Sequence, residues 1–153
     1  MNSWLALRRL EKAERRIALE AAAGLMATWA GLRLFGFRRW KSVMERFSGD
    51  RKNEIVESVD LESAARIARL EAGAARRLLP RTNCLEQSLV LWWLLKRRGI
   101  ESNVRIGGRK EAEKFEAHAW VELNGMAVDV SGETHLHFVP FKGTLESAET
   151  KVH

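Results

Sequence analysis

The sequence has only one cysteine and two prolines, and it contains no low-complexity tract and no internal repeat. A single cysteine excludes an internal disulfide framework and fits a reducing, cytoplasmic setting. The N-terminus lacks the features of a secretory signal peptide, because charges run through residues 8–16. The uncharged segment 21–32 is too short to span a membrane and is typical of a buried core helix. We therefore predict one cytoplasmic domain over residues 1–153, and membrane contact is not expected.

The positive charge is unevenly distributed along the chain. Residues 1–60 carry a net charge of +4, residues 61–100 carry +5, and residues 101–153 carry −3. Such a basic half can attract an acidic peptide or protein, or it can be the solvated face of arginine-rich helices. No basic strand interleaved with aromatic residues is present, so no nucleic-acid partner is expected. The candidate docking clusters are Arg8–Arg16, Arg38–Lys41 and Arg76–Arg81.

Helices are predicted for most of the first 80 residues. Residues 4–35 carry apolar side chains at spacings of three, four and seven, with Gly36 as the expected end of that helix. A short helix over Trp40–Phe47 follows. A further helix over residues 61–79 is ended by Pro80. The stripe of this last helix consists of Ala64, Ile67, Ala68, Glu71, Ala72, Ala75, Leu78 and Leu79.

The next predicted helix, Cys84–Arg98, is apolar on most of its sides, which is typical of a central buried helix. Thr82 or Asn83 is available as its N-cap, and Gly99 follows its basic last turn. Cys84 is its first residue. A thiol at a helix N-terminus meets unpaired backbone N–H groups and the positive end of the helix dipole, which favour the reactive thiolate. The alternative is that Cys84 is a small buried apolar residue, as free cysteines usually are.

After residue 100 the apolar period changes from helical to alternating. Asn124-Gly125 is a strong hairpin turn, Gly107-Gly108 is expected to end the first strand, and Arg109–Lys114 is expected to be a turn. Pro140 is tolerated only at a sheet edge. Strands are predicted over residues 103–106, 117–123, 126–130 and 135–141. Helices followed by an antiparallel sheet predict an α+β fold.

The hairpin brings a histidine and a carboxylate onto one face of the predicted sheet. A two-residue turn pairs Trp120 with Asp129, so that Asp129 becomes a diagonal neighbour of His118. From there Asp129 could orient the imidazole and fix its tautomer, while His118 serves as base to a thiol nucleophile. Glu122 and Glu133 are rival orienting residues. His118 could also be an ordinary half-buried strand residue.

A metal site is the other chemistry that these residue types suggest. His135 and His137 lie two apart, and together with Cys84 they could suggest zinc. However, the sequence has no cysteine pair and no His-Glu-x-x-His helix. We predict no metal and no cofactor.

Two motifs are specific in combination: Pro-Arg-Thr-Asn-Cys-Leu-Glu-Gln-Ser-Leu, which opens residues 80–100, and Ala-His-Ala-Trp-Val-Glu at residues 117–122. With them, residues 80–130 strongly resemble the transglutaminase-like leader peptidases of lasso-peptide biosynthesis. The resemblance implies a papain-related core over residues 61–153, in which a central cysteine-bearing helix packs on a small antiparallel sheet, preceded by a helical extension over residues 1–60. It also implies a catalytic triad of Cys84, His118 and Asp129.

The resemblance further implies a substrate and partners. Such an enzyme cuts a ribosomally made precursor peptide between leader and core, and an ATP-dependent cyclase then uses the freed amine. The leader is held by a recognition domain that is either fused or separate. No strand-rich segment precedes Asp60, so we expect the split form, with a separate recognition protein and with the cyclase as a further candidate partner. A non-catalytic peptide-binding adaptor and a transglutaminase-like acyl transferase are the alternatives.

Overall fold

The computed structural model describes residues 10–49, 61–78, 81–128 and 134–141. Within these ranges three helices precede a four-stranded antiparallel sheet, so the α+β class predicted from the sequence is confirmed. The sheet order is β3-β2-β1-β4. The elements are α1 (Lys12–Phe47), α2 (Leu61–Ala75), α3 (Cys84–Lys96), β1 (Asn103–Glu111), β2 (Lys114–Leu123), β3 (Met126–Ala127), a short 3-10 helix (Thr134–His137) and β4 (Val139–Pro140).

Helix α1 is a helical hairpin with its corner at Gly36. Gly36 has φ 75° and ψ 171°, which are non-helical values. Trp40 Nε1 donates a hydrogen bond to Thr28 Oγ1 at 3.2 Å, and Thr28 Oγ1 lies 3.8 Å from Met44 Sδ. Residues 28 and 44 would be about 24 Å apart in a straight helix, given a rise of about 1.5 Å per residue. The chain therefore folds back at Gly36. This agrees with the predicted helix end at Gly36 and the predicted second helix over Trp40–Phe47.

By length and composition alone, α1 could cross a membrane. Core helices and signal sequences share this length and composition, so the property assigns no location by itself. In the structure, Ala21 and Leu25 are fully buried, and α1 packs against α2 and α3. A Cβ atom at Gly24 would lie 3.1 Å from Val90, which shows how closely α1 approaches α3.

Helix α3 is the centre of the core, as its nearly continuous apolar sequence predicts. It packs against α1, α2 and β2, so it is covered on three sides. Leu89, Val90, Leu94 and Leu95 are fully buried. The apolar environment fixes the position of the helix, and with it the position of Cys84 at its first residue.

The β2–β3 hairpin has the predicted register. Leu123 pairs with Met126 and Glu122 pairs with Ala127. The N–H of Val128 donates to the carbonyl oxygen of Val121 at 2.8 Å, which continues the same register by one residue. The two-residue turn at Asn124-Gly125 therefore forms as predicted.

The predicted end of the first strand at Gly107-Gly108 is wrong. Strand β1 runs through both glycines to Glu111, and the turn is only Ala112 and Glu113. The glycines serve close packing: a Cβ atom at Gly107 would lie 2.7 Å from the carbonyl oxygen of Val139 and 2.9 Å from the Trp120 ring. Glycine inside a strand often marks such a close approach of neighbouring groups.

The predicted edge strand over residues 135–141 is also mostly wrong. His135 and His137 lie in the 3-10 helix instead of on one strand face, and only Val139–Pro140 forms β4. Pro140 pairs with Gly107 at the edge of the sheet, where its missing N–H is tolerated.

Candidate active site

The N-terminus of α3 is held by a reciprocal cap. The N–H of Glu86 donates to Asn83 Oδ1 at 2.9 Å, and the N–H of Asn83 donates to Glu86 Oε2 at 2.9 Å. This capping box satisfies two backbone donors at once. The Gln87 amide adds a third link, because its Nε2 donates to the carbonyl oxygen of Thr82 at 3.0 Å. Cys84 therefore lies in a first helical turn that is fixed on both sides.

Glu86 also ties this turn to the N-terminal hairpin. Its side chain is only 2% exposed, and Oε1 accepts a hydrogen bond from Arg33 Nη1 at 3.0 Å. The Arg33 guanidinium also stacks over the Trp29 ring, 4.4 Å from the ring centroid. A buried carboxylate normally needs such a cationic partner. The pair links α1 to the first turn of α3 and restricts the movement of Cys84.

Cys84 and His118 line one small pocket of about 80 Å³. Its walls come from α2, α3 and β2, together with Val128 after β3. Cys84 is intermediate between buried and exposed. The complete lining is Ala68, Glu71, Ala72, Cys84, Gln87, Ser88, Leu91, His118, Ala119, Trp120, Val121 and Val128.

His118 lies between aromatic neighbours on β2. Its ring centroid is 5.0 Å from that of Phe138 and 6.2 Å from that of Trp120. Gly107 on β1 is its strand partner, so no β1 side chain stands opposite the imidazole. Phe138 follows the 3-10 helix, which delivers its ring to the site. These contacts restrict the orientation of the imidazole.

Of the three candidate carboxylates, Glu122 is the one that the structure describes. Trp120 Nε1 donates to its Oε1 at 2.9 Å, and Arg105 Nε lies 3.3 Å from its Oε2. Oε1 thus already has a donor and Oε2 has an ion-pair partner, which disfavours Glu122 as the orienting residue for His118. Asp129 and Glu133 lie outside the described residues, and the assignment of Asp129 stays a prediction.

Glu71 is the pocket residue that the sequence reasoning did not select. It lies on the buried face of α2, is 4% exposed, and its Oε1 has no hydrogen-bond partner among the described residues. Burial raises the pKa of the Glu71 carboxyl to about 8, although the positive charge of Arg76 acts in the opposite direction. The carboxyl is therefore mostly protonated at neutral pH.

The signal for Glu71 was present in the sequence. It occupies an apolar position of the α2 stripe, between Ala68 and Ala75, where a charged residue is unexpected. Phe138 gave no comparable signal, because its contact with His118 depends on how residues 134–138 fold. Gln87 was also missed, since one polar residue in the first turn of a helix is unremarkable.

No group of three or more His, Cys, Asp or Glu side chains in the described ranges is placed to hold a metal ion. His137 is exposed and does not line the pocket with Cys84. The side chain of His135 lies outside the described part of the chain.

We expect iodoacetamide to alkylate Cys84 faster than a free thiol at neutral pH, and the rate to fall in His118→Ala. The physical reason is that His118, which lines the same pocket, can take the proton of the thiol as the sulfur attacks. Since the chain has one thiol, the intact mass reports the reaction directly. The control is His137→Ala, an exposed histidine outside the pocket. If Cys84 of the wild type reacted only as fast as a free thiol, and His118→Ala did not change that rate, Cys84 would be a structural residue.

The comparisons with known proteins agree with this architecture. Residues 30–142 match the family model of the transglutaminase-like superfamily, a range that includes Cys84, His118 and Asp129. No curated protein and no solved structure matches the chain. A family model that covers most of the sequence assigns the family. The chain belongs to the transglutaminase-like superfamily.

Proposed function

We propose that this protein is a cysteine peptidase that removes the leader from a ribosomally made lasso-peptide precursor. The observation that carries the proposal is the shared pocket of Cys84 and His118, with the thiol at a capped helix N-terminus. The superfamily generally comprises cysteine-based enzymes, which supports the reaction class. The leader-peptidase role depends on the resemblance of residues 80–130 described above.

In the proposed reaction the Cys84 thiolate attacks the carbonyl carbon of the peptide bond between leader and core. His118 donates a proton to the departing amine, which releases the core peptide with a free N-terminus. The leader stays on Cys84 as a thioester. Water then attacks the thioester with His118 as general base, and Asp129 holds the imidazole in the required orientation.

The test is a reconstituted cleavage reaction. Precursor peptide, this protein and a separate leader-recognition protein are incubated together, and the products are identified by mass spectrometry. Hydrolysis predicts a free leader carboxylate and a core with a free amine. Intact precursor under all conditions would contradict the proposal and favour the adaptor alternative.

The same experiment separates hydrolysis from acyl transfer. Both reactions pass through a thioester on a cysteine, and they differ in whether water or an amine attacks it. If an added primary amine appears on the leader and little free carboxylate forms, the protein is an acyl transferase. We propose water as the acceptor, in accordance with the resemblance.

We also propose a separate recognition protein that raises the local concentration of precursor, with the cyclase as a further candidate partner. The basic surface available for it is smaller than the sequence suggests. Lys41 is 4% exposed and pairs with Glu45 at 3.0 Å, so it is not a surface charge. Arg16 pairs with Glu20 at 3.0 Å. Within the described residues of the Arg38–Lys41 cluster, Arg38 and Arg39 are exposed.

Reversing both charges in Arg38→Glu/Arg39→Glu should weaken binding of an acidic leader or recognition protein. We expect on the order of a tenfold loss at low salt, as for two surface ion pairs, and a smaller loss at ~0.1 M salt, where screening limits interactions to about 10 Å. Binding affinity at two salt concentrations is the measurement. Lys110→Glu/Lys114→Glu makes the same change in net charge on the β1–β2 hairpin. Equal losses in both variants would contradict a specific site at Arg38 and Arg39.

We place the protein in the cytoplasm, where ribosomal precursors are made. The lone Cys84 supports this placement, because a peptidase thiol must stay reduced.

A further inference from the structure

The pocket contains a buried acid that its packing does not explain. Glu71 is 4% exposed, and its Oε1 is without a hydrogen-bond partner in the described part of the chain. Leaving a buried polar group unpaired costs about 1–3 kcal/mol, and most such groups in native proteins are paired. An apolar side chain at this position of the α2 stripe would avoid that cost. The exception therefore points to a partner that arrives with the substrate.

The position of Glu71 identifies what that partner is. It lines the same small pocket as Cys84 and His118, so the carboxyl and the thiol belong to walls of one cavity. A cavity needs only on the order of 10–15 Å³ to hold a water, so a pocket of about 80 Å³ has room for a carbonyl group. The attacked group is a carbonyl, and its oxygen becomes negatively charged as the sulfur–carbon bond forms.

We propose that Glu71 is a catalytic residue that donates a hydrogen bond from its protonated carboxyl to the oxygen of the carbonyl attacked by Cys84. This inference rests on the proposed peptidase function and deepens it by supplying a donor for the oxyanion. The thiolate sulfur bonds to the carbonyl carbon, the π-electron pair of the carbonyl moves to its oxygen, and the hydrogen bond from Glu71 stabilises that charge. When the tetrahedral intermediate collapses, the pair returns to form the carbonyl of the thioester and the amine leaves.

A neutral acid can perform this task only while it keeps its proton. Burial holds the pKa of Glu71 at about 8, so the donor is present at neutral pH, as in the known cases where an apolar site keeps a carboxylic acid neutral. The titratable groups that share the pocket are Cys84 on α3 and His118 on β2, and Arg76 follows Glu71 on its own chain segment. A thiolate at Cys84 disfavours ionisation of Glu71, because two negative charges would then share the pocket.

The test uses variants at Glu71 and two readouts. Glu71→Leu removes the donor and puts an apolar side chain of similar size in its place. Glu71→Gln keeps a donor that is neutral at every pH. Glu101→Gln, the same substitution at an exposed position outside the pocket, is the matched control. The first readout is kcat for precursor cleavage. Glu71→Leu should lose roughly 10²-fold, as when one oxyanion donor is removed, and Glu71→Gln should recover most of that loss.

The second readout needs no leader cleavage. The small aldehyde N-acetylglycinal adds reversibly to a cysteine thiol: sulfur bonds to the aldehyde carbon, and the aldehyde oxygen takes the proton. Protection of Cys84 from iodoacetamide then gives the aldehyde affinity. We expect at least ~10-fold weaker protection in Glu71→Leu, with the alkylation rate of the free variant close to that of wild type. Absent protection in wild type, or equal protection in Glu71→Leu, overturns the proposal.

The two readouts distinguish failure of this inference from failure of the proposed function. If wild type binds the aldehyde through Glu71 but never cuts precursor, the donor stands and the leader-peptidase function fails. If wild type cuts precursor and Glu71→Leu cuts it equally fast, the function stands and the donor fails. Melting temperatures separate a structural role from a catalytic one, since a structural Glu71 would lower stability and kcat together when replaced by Leu.

The pH dependence of stability checks the protonation state of Glu71. Its pKa is raised from 4.5 to about 8 on folding, so wild-type stability falls as pH rises between those values and levels off above them. Glu71→Gln lacks this loss, so its melting temperature should gain on wild type across that range. A constant difference between the two proteins from pH 5 to pH 8 would contradict a protonated Glu71.

Discussion

We expect Cys84→Ala to abolish the proposed leader cleavage while the protein stays folded. The substitution removes the only thiol of the chain. It changes little volume, because it deletes one sulfur atom at a partly exposed position at the start of α3. Loss of the nucleophile should reduce kcat on the order of 10⁴-fold or more. The measurement is the amount of free leader, determined by mass spectrometry after incubation of the precursor with the variant and the recognition protein.

Two controls make this result specific. The melting temperature of Cys84→Ala should match wild type within a few degrees, because the capping box at Asn83 and Glu86 does not involve the thiol. Cys84→Ser should be nearly as inactive, since a hydroxyl is a far weaker nucleophile at its usual pKa. Normal leader release by Cys84→Ala would end the proposal of a cysteine peptidase.

His118→Ala should be as severe as the cysteine substitution, because a nucleophile and its base act as a unit. We attribute the expected loss to the missing base and not to lost packing. His118→Gln keeps much of the contact with Phe138 and Trp120 but has no imidazole, so it should be equally inactive. Asp129→Asn should retain activity at least about tenfold above His118→Ala, since loss of a triad's carboxylate costs less than loss of its base. Cleavage rates of the three variants, each with its melting temperature, provide the comparison.

The choice of orienting residue is tested by the same series. Glu122 already accepts a hydrogen bond from Trp120 and faces Arg105, so Glu122→Gln should leave most of the activity. A fully active Asp129→Asn beside an inactive Glu122→Gln would show that the assignment of Asp129 is wrong.

The parts of the fold governed by local sequence were predictable. The break at Gly36, the N-cap at Asn83 and the turn at Asn124-Gly125 each follow from the backbone preferences of a few neighbouring residues. The central position of α3 follows from its apolar composition. The pairing of Cys84 with His118 was implied by the resemblance of residues 80–130, and the two residues do line one pocket.

The parts governed by distant contacts were not predictable from local patterns. Gly107-Gly108 has the composition of a turn, and only the packing of Trp120 and Val139 against it reveals a continuous strand. Glu71 reaches the pocket because α2 packs against α3, and no pattern within α2 states which element covers its stripe. Likewise, Phe138 reaches His118 only after the chain has turned through the 3-10 helix.

The hairpin at Gly36 sets an order of events during synthesis. Its own contacts join residues only 12 and 16 apart in sequence, whereas the pairs that fasten it to α3, Arg33–Glu86 and Glu20–Arg98, span 53 and 78 residues. At ~5–20 residues per second, Glu86 is added roughly 3–10 s after Arg33. Until α2 and α3 have been made, the apolar side of the hairpin, including Leu25, lacks the helices that cover it in the folded protein. The time taken to translate α2 and α3 therefore sets how long the apolar side of the hairpin stays uncovered by the rest of the core.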